Sequence, residues 1–211
     1  MKLLLTSAGI KNETIKKEFY NLVGLTPEEI KAVFIPTAKN VEIGDKKWLI
    51  ANLYEMSNIV GEIDIVELTV QSPEVLKKRL EWADVIIVGG GNTYYLLEQV
   101  RKSGFSKMLP ELLKDRVYVG ISAGSIICCP KIDVATIDDG DENIVNLKDT
   151  SGLNFVDFEV SPHTPDVSLE ANKEYAKTIK NKLYAYDDDM AVKVDGNKVE
   201  LVGNGQHWEY N

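Results

Sequence analysis

Compact apolar blocks alternate with stretches of helical spacing along most of this chain. Leu3-Leu4-Leu5, Ala32-Val33-Phe34-Ile35, Val85-Ile86-Ile87-Val88 and Val117-Tyr118-Val119 are bounded by polar or glycine-rich residues. Short continuous runs of this kind predict fully buried strands. Residues 63–68 and 155–160 alternate apolar with polar and predict half-buried strands. Between these blocks, apolar residues recur every three or four positions, which predicts helices over 13–22, 46–59 and 93–100. In the second of these, Trp48, Leu49, Leu53 and Met56 form the expected buried stripe. Ser72-Pro73-Glu74 opens a further helix, with Ser72 as its cap and Pro73 in the first turn.

Strands alternating with helices predict an α/β fold: a mostly parallel sheet with helices on both faces. The pattern changes near the end. Residues 191–194 and 198–202 flank Asp195-Gly196, a hairpin signal, so the sheet is expected to gain an antiparallel extension. No repeat, low-complexity tract or linker divides the sequence, and residues 1–211 read as one domain. Residues 130–150 are rich in Asp and read as a surface loop. In a doubly wound sheet, ligands bind beyond the carboxyl ends of strands. That directs attention to Gly89-Gly90-Gly91-Asn92 and to Gly120-Ile121-Ser122-Ala123-Gly124.

Charge narrows the function classes. The formal net charge of −9 repels phosphate backbones and argues against general nucleic-acid binding. No apolar stretch approaches a membrane span. The opening residues read as a buried strand rather than a signal peptide, because Lys11 and Asn12 follow too soon. The two cysteines, Cys128 and Cys129, are adjacent, which rarely satisfies disulfide geometry. A reducing, cytoplasmic setting is the expectation.

Gly120-x-Ser122-x-Gly124 follows an apolar strand directly, the setting a nucleophile elbow requires. The glycines remove Cβ atoms from a tight turn, and the serine hydroxyl is presented at the sheet edge. The N–H of Ala123 is then aimed where an oxyanion would form. A capping serine on a glycine-rich turn is the plainer alternative. Gly89-Gly90-Gly91-Asn92-Thr93 suits either of two tasks: cradling a phosphate or supplying a second oxyanion donor. It is not a dinucleotide fingerprint, since Tyr94 stands where the last glycine belongs. Of the two histidines, His163 lies between Pro162 and Pro165 after a predicted strand and is the better-placed base; His207 lies in a predicted edge strand. An orienting carboxylate is needed to hold the imidazole tautomer. It lies in one of two acidic clusters, Asp138-Asp139-Asp141-Glu142 or Asp187-Asp188-Asp189, and spacing alone does not choose. No paired His or Cys spacing marks a metal site.

Four segments, in order, carry a family resemblance: Val33-Phe34-Ile35-Pro36-Thr37-Ala38, Val88-Gly89-Gly90-Gly91-Asn92-Thr93, Gly120-Ile121-Ser122-Ala123-Gly124-Ser125 running on to Cys129-Pro130, and Ser161-Pro162-His163. In them the chain resembles the S51 serine peptidases, the family of dipeptidase E and, more distantly, cyanophycinase. The resemblance implies a three-layer α/β sandwich, flavodoxin-like and related to class I glutamine amidotransferases. It implies Ser122 as nucleophile, His163 as base, and Gly91 and Ala123 as oxyanion donors. Asp138, in Thr136-Ile137-Asp138, matches the third triad position, with Asp139 in reserve. Asn92, Asp188 and Lys173 are implied substrate contacts. Asp188 falls where the family often carries a glutamate, with two implied roles open: binding a substrate ammonium or supporting the histidine. Dipeptidase E has an arginine in the helix after its histidine; Leu169-Glu170-Ala171-Asn172-Lys173-Glu174 has none. Strict preference for N-terminal Asp is therefore not expected, since Lys173 lacks bidentate geometry. The expected partner is a short peptide, with no cofactor, no metal, no nucleic acid and no membrane; monomer and homodimer are both open. The competing readings are an esterase or amidase using the same residues and a catalytically silent small-ligand binder.

Overall fold

Alternation within the apolar strands decides the layers. Successive side chains on a strand point to opposite faces. Leu3, Leu5, Val33, Ile35, Ile86 and Val88 enter one buried cluster, whereas Leu4, Ala32, Phe34, Val85 and Ile87 enter the other. A strand apolar on both faces needs cover on both, and helices supply it.

The computed structural model describes residues 1–211 apart from the side chain of Asp139, so that reserve position lies outside the described side chains. The elements are β1 (Lys2–Thr6), α1 (Glu13–Val23), β2 (Lys31–Ile35), α2 (Lys47–Ser57), β3 (Glu62–Ile65), α3 (Pro73–Trp82), β4 (Val85–Val88), α4 (Thr93–Lys102), α5 (Phe105–Leu112), β5 (Val117–Ile121), α6 (Ala123–Ile126), β6 (Glu159–Ser161), α7 (Leu169–Ala176), β7 (Leu183–Tyr186), β8 (Met190–Asp195), β9 (Lys198–Gly203) and β10 (His207–Tyr210). The main sheet has the order β3-β2-β4-β5-β1-β8-β9. Its first five strands are parallel, and β8 and β9 extend it in antiparallel fashion beyond β1. Buried residues of α1 and α2 cover one face; those of α3, α4, α5 and α6 cover the other.

Local chemistry sets the helix boundaries. Asn12, Ser72, Asn92 and Ser168 each accept a backbone N–H in the first turn of α1, α3, α4 and α7. Helix α5 was not anticipated, because Pro110 interrupts its pattern. An interior proline costs about 3 kcal/mol. Phe105, Leu109 and Leu112 are buried there, and each full burial is worth about 1.5–3 kcal/mol, so packing outweighs the break.

Four expectations need correction. The strand expected over 155–160 is only β6, because residues 155–158 form bends before pairing begins. Strands β6, β7 and β10 form a second, three-stranded sheet instead of joining the first. Trp48 is exposed rather than part of the buried stripe of α2, whose inward face is centred on Asn52 and Met56. The Asp-rich loop is also less irregular than expected, since Asp133–Asp139 carries 3-10 turns broken at Ile137 and Asp138.

Candidate active site

Strand β5 ends at the elbow. Ser122 has φ 51° and ψ −112°, a positive φ that a non-glycine residue adopts at a cost of about 1–3 kcal/mol. Its neighbours make the turn feasible. A Cβ on Gly120 would lie 2.7 Å from Gly124 O, and one on Gly124 would lie 2.1 Å from Val88 O. The turn is tied to β1: Ser122 N donates to Thr6 O at 3.0 Å, Ser125 Oγ donates to the same oxygen at 2.8 Å, and Thr6 Oγ1 donates to Gly120 O at 2.7 Å.

His163 follows β6 and also has a positive φ, 62°. Its Nε2 lies 2.9 Å from Ser122 Oγ, and its Nδ1 lies 2.7 Å from Asp188 Oδ1. Asp188 comes from the crossover between β7 and β8, that is, between the two sheets. Asp187 braces this turn by accepting from Asp189 N and Gln206 N. The buried Ser7, the first residue after β1, completes the cluster. Its hydroxyl donates to Asp188 Oδ1 at 2.6 Å and accepts from His163 N at 2.8 Å. The bond from His163 holds the Asp188 carboxyl below its ordinary range. Carboxylate, imidazole and hydroxyl therefore stand in series beyond the carboxyl ends of β7, β6 and β5.

The glycine run after β4 forms another wall. Gly91 has φ 129°, and a Cβ there would lie 2.5 Å from the carbonyl carbon of Ala38, so only glycine fits. Gly90 packs against Ser122, its would-be Cβ 3.2 Å from the serine Cβ. A cleft of about 400 Å³ opens over these residues, lined also by Glu42, Trp48, Asp141 and Asp188. Asp141 accepts from Thr93 N at 2.7 Å, at the start of α4. Burial pushes its carboxyl above the ordinary range, and burial followed by the Asp141 charge does the same to Glu42.

Ser122, His163, Gly91 and Asp188 meet at this cleft, whereas Asp138, Asn92 and Lys173 do not line it. Asp138 is not the carboxylate on the imidazole: a left-handed turn (φ 55°, ψ 52°) sends it to Ser168 N at 2.7 Å, where it caps the start of α7. Asp188 is on the imidazole instead. Asn92 spends its side chain internally, accepting from Tyr95 N and donating to Glu142 O. Lys173 is exposed on α7 and lines neither cleft at Ser122. His207 stands on β10 beside Glu209. Ser7 and Glu42 were not anticipated. Ser7 carried one usable signal, its place directly beyond the carboxyl end of a buried strand.

An α/β fold that presents a serine on a tight strand-to-helix turn, with an imidazole 2.9 Å away, is the setting of a serine-type hydrolase. Residues 3–202 match peptidase family S51. An uncharacterized peptidase of Listeria monocytogenes is 32% identical over 209 residues, 90% of this chain and 97% of that one. Peptidase E of Nostoc is 27% identical, covering 96% of this chain and 85% of its own. A crystal structure of a candidate peptidase E protein from Listeria monocytogenes superposes with a TM-score of 0.80 at 25% identity, covering 97% of this chain and 98% of that chain. The chain belongs to peptidase family S51 and is a serine-type peptidase.

Proposed function

We propose that the protein hydrolyses short peptides through an acyl-enzyme on Ser122, with His163 as base and Asp188 as its orienting acid. The observation that carries this reading is the continuous series from Asp188 Oδ1 through His163 to Ser122 Oγ, at 2.7 and 2.9 Å. With Nδ1–H donating to Asp188, Nε2 is free to accept the serine proton. Ser122 Oγ then bonds to the scissile carbonyl carbon, and His163 takes the proton. The resulting oxyanion is held by the N–H groups of Gly91 and Ala123, which are bonded to no protein acceptor among the described residues. Collapse breaks the C–N bond, and His163 returns its proton to the leaving amine. Water, deprotonated by His163, attacks the acyl carbon and releases Ser122 as its hydroxyl. A cleft of about 400 Å³ suits a dipeptide-sized substrate better than a folded protein. Two buried thiols with no disulfide suit a cytoplasmic setting.

Ser122→Ala is the test. Turnover of dipeptides should fall by roughly 10⁴-fold or more with folding intact, and fluorophosphonate labelling should vanish. Near-wild-type turnover by the variant would overturn the reading.

A further inference from the structure

The residues of the Asp188-His163-Ser122 series come from two sheets. Ser122 ends β5 of the main sheet, whereas His163 follows β6 and Asp188 follows β7 of the small one. Their alignment therefore depends on how the sheets are joined, and the end of β1 makes that joint. Thr6 O accepts from Ser122 N at 3.0 Å, on the elbow side. Leu5 O accepts from Tyr186 Oη at 3.0 Å, on the side of the small sheet. Just beyond, Asn12 Nδ2 donates to Asp189 O at 2.9 Å.

These bonds place the crossover backbone and leave the Asp188 side chain to be fixed separately. That side chain is 54% exposed. Exposed side chains change rotamer on a picosecond-to-nanosecond scale unless something holds them. The donor on the buried side is Ser7, itself fully buried. Its hydroxyl lies 2.6 Å from Asp188 Oδ1, the length of a charge-assisted O–H···O⁻ bond.

The same hydroxyl holds the histidine. It accepts from His163 N at 2.8 Å and so braces a backbone at φ 62°. That conformation is strained for a non-glycine residue and persists where its surroundings over-determine it. Ser7 Oγ also lies 3.2 Å from His163 Nδ1. A hydroxyl carries one hydrogen, and that of Ser7 is committed to Asp188. It offers Nδ1 a lone pair only. Nδ1 thus faces acceptors on both Ser7 and Asp188 and keeps its hydrogen, which leaves Nε2 to accept from Ser122.

We infer that Ser7 is a positioning residue for acyl transfer: it fixes the Asp188 carboxylate and the His163 backbone, and through them the productive imidazole tautomer. The inference rests on the acyl-enzyme reading above. It assigns to the end of β1 a part in the chemistry, exerted through two residues of the other sheet.

The experiment measures the rate constant of fluorophosphonate labelling at Ser122, with kcat and KM on Ala-Leu beside it. The proteins are wild type, Ser7→Ala, Ser7→Cys, Asp188→Asn and the two double variants. Cysteine is close to serine in volume but is a weak donor and a weak acceptor. Each Ser7 variant should label about 10- to 100-fold more slowly and lose kcat by a similar factor, with KM within about threefold. In the Asp188→Asn background the same Ser7 changes should slow labelling by about threefold or less, because residues acting as one unit are not additive. A packing role would give equal losses in both backgrounds, and that result would overturn the inference. So would wild-type labelling rates in the Ser7 variants, or a raised KM with kcat unchanged. If wild type does not turn over Ala-Leu, the labelling rates decide. If Ser7→Ala does not fold, Ser7→Cys decides. Failure of wild type to label, or undiminished labelling of Asp188→Asn, defeats the acyl-enzyme reading itself and the inference with it.

Discussion

Asp138 and Asp188 carry the same side chain, and their backbones give them different tasks. Asp138, at φ 55°, caps α7 through Ser168 N, whereas Asp188 receives the imidazole. Asp188→Asn should lower kcat by about 10⁴, because the amide favours the wrong imidazole tautomer. Asp138→Ala should leave kcat within about threefold and cost about 1 kcal/mol in urea unfolding, through the lost hydrogen bond from Ser168 N. The same two measurements on both variants separate the roles; a large kcat loss in Asp138→Ala would reverse them. Ser7→Ala removes a donor from Asp188 and an acceptor from the His163 N–H. A buried group left unpaired costs about 1–3 kcal/mol, so this variant should lose both stability and turnover. The sequence singled out Ser122 and His163 because the elbow is a local turn motif and only two histidines exist. Spacing left the acid open and the family resemblance pointed to Asp138, because two Asp clusters look alike until the chain folds.

The loop after β4 shows how one element shapes the site through backbone rather than side chain. Gly91 combines φ 129° with direct contact against the Ala38 backbone. Gly91→Ala should therefore cost more than the roughly 1–3 kcal/mol of strain alone and should also lower kcat/KM. Gly24, at φ 76° and with nothing within 4 Å of its would-be Cβ, is the control. Gly24→Ala should cost only about 1 kcal/mol and leave activity unchanged. Chemical denaturation of the two variants tests the difference. Helix α2 illustrates the limit of periodicity. Its helical spacing was legible, but Trp48 faces the substrate cleft rather than the core. Apolar spacing marks a face without saying whether protein or ligand covers it.

The burial of whole groups becomes visible only across the molecule. Cys128 and Cys129 sit in the core, and burial pushes Cys128 up to about 12 and Cys129 well above the ordinary thiol range. Both should resist iodoacetamide at neutral pH in the native state and react fully in denaturant. The folded thiols hold their protons to higher pH than unfolded ones. Where the unfolded state binds fewer protons, stability falls as pH rises. Stability should thus decline from about pH 8.5, the ordinary thiol value, towards pH 12. Urea midpoints across that range check the sign.

Local information determined the layers, the parallel-then-antiparallel sheet and the serine elbow. Apolar blocks, helix caps and turn residues act over a few positions, and the physics they report is short-ranged. The candidate site is built from contacts of another kind. His163 reaches Ser122 across 41 positions, Asp188 across 25 and Ser7 across 156. Those distances close only when the second sheet folds back over the carboxyl ends of the first. Which carboxylate met the imidazole, and which apolar side chains faced the cleft, was decided there. Equivalent residues in one sequence become different in energy only through the neighbours that tertiary structure supplies.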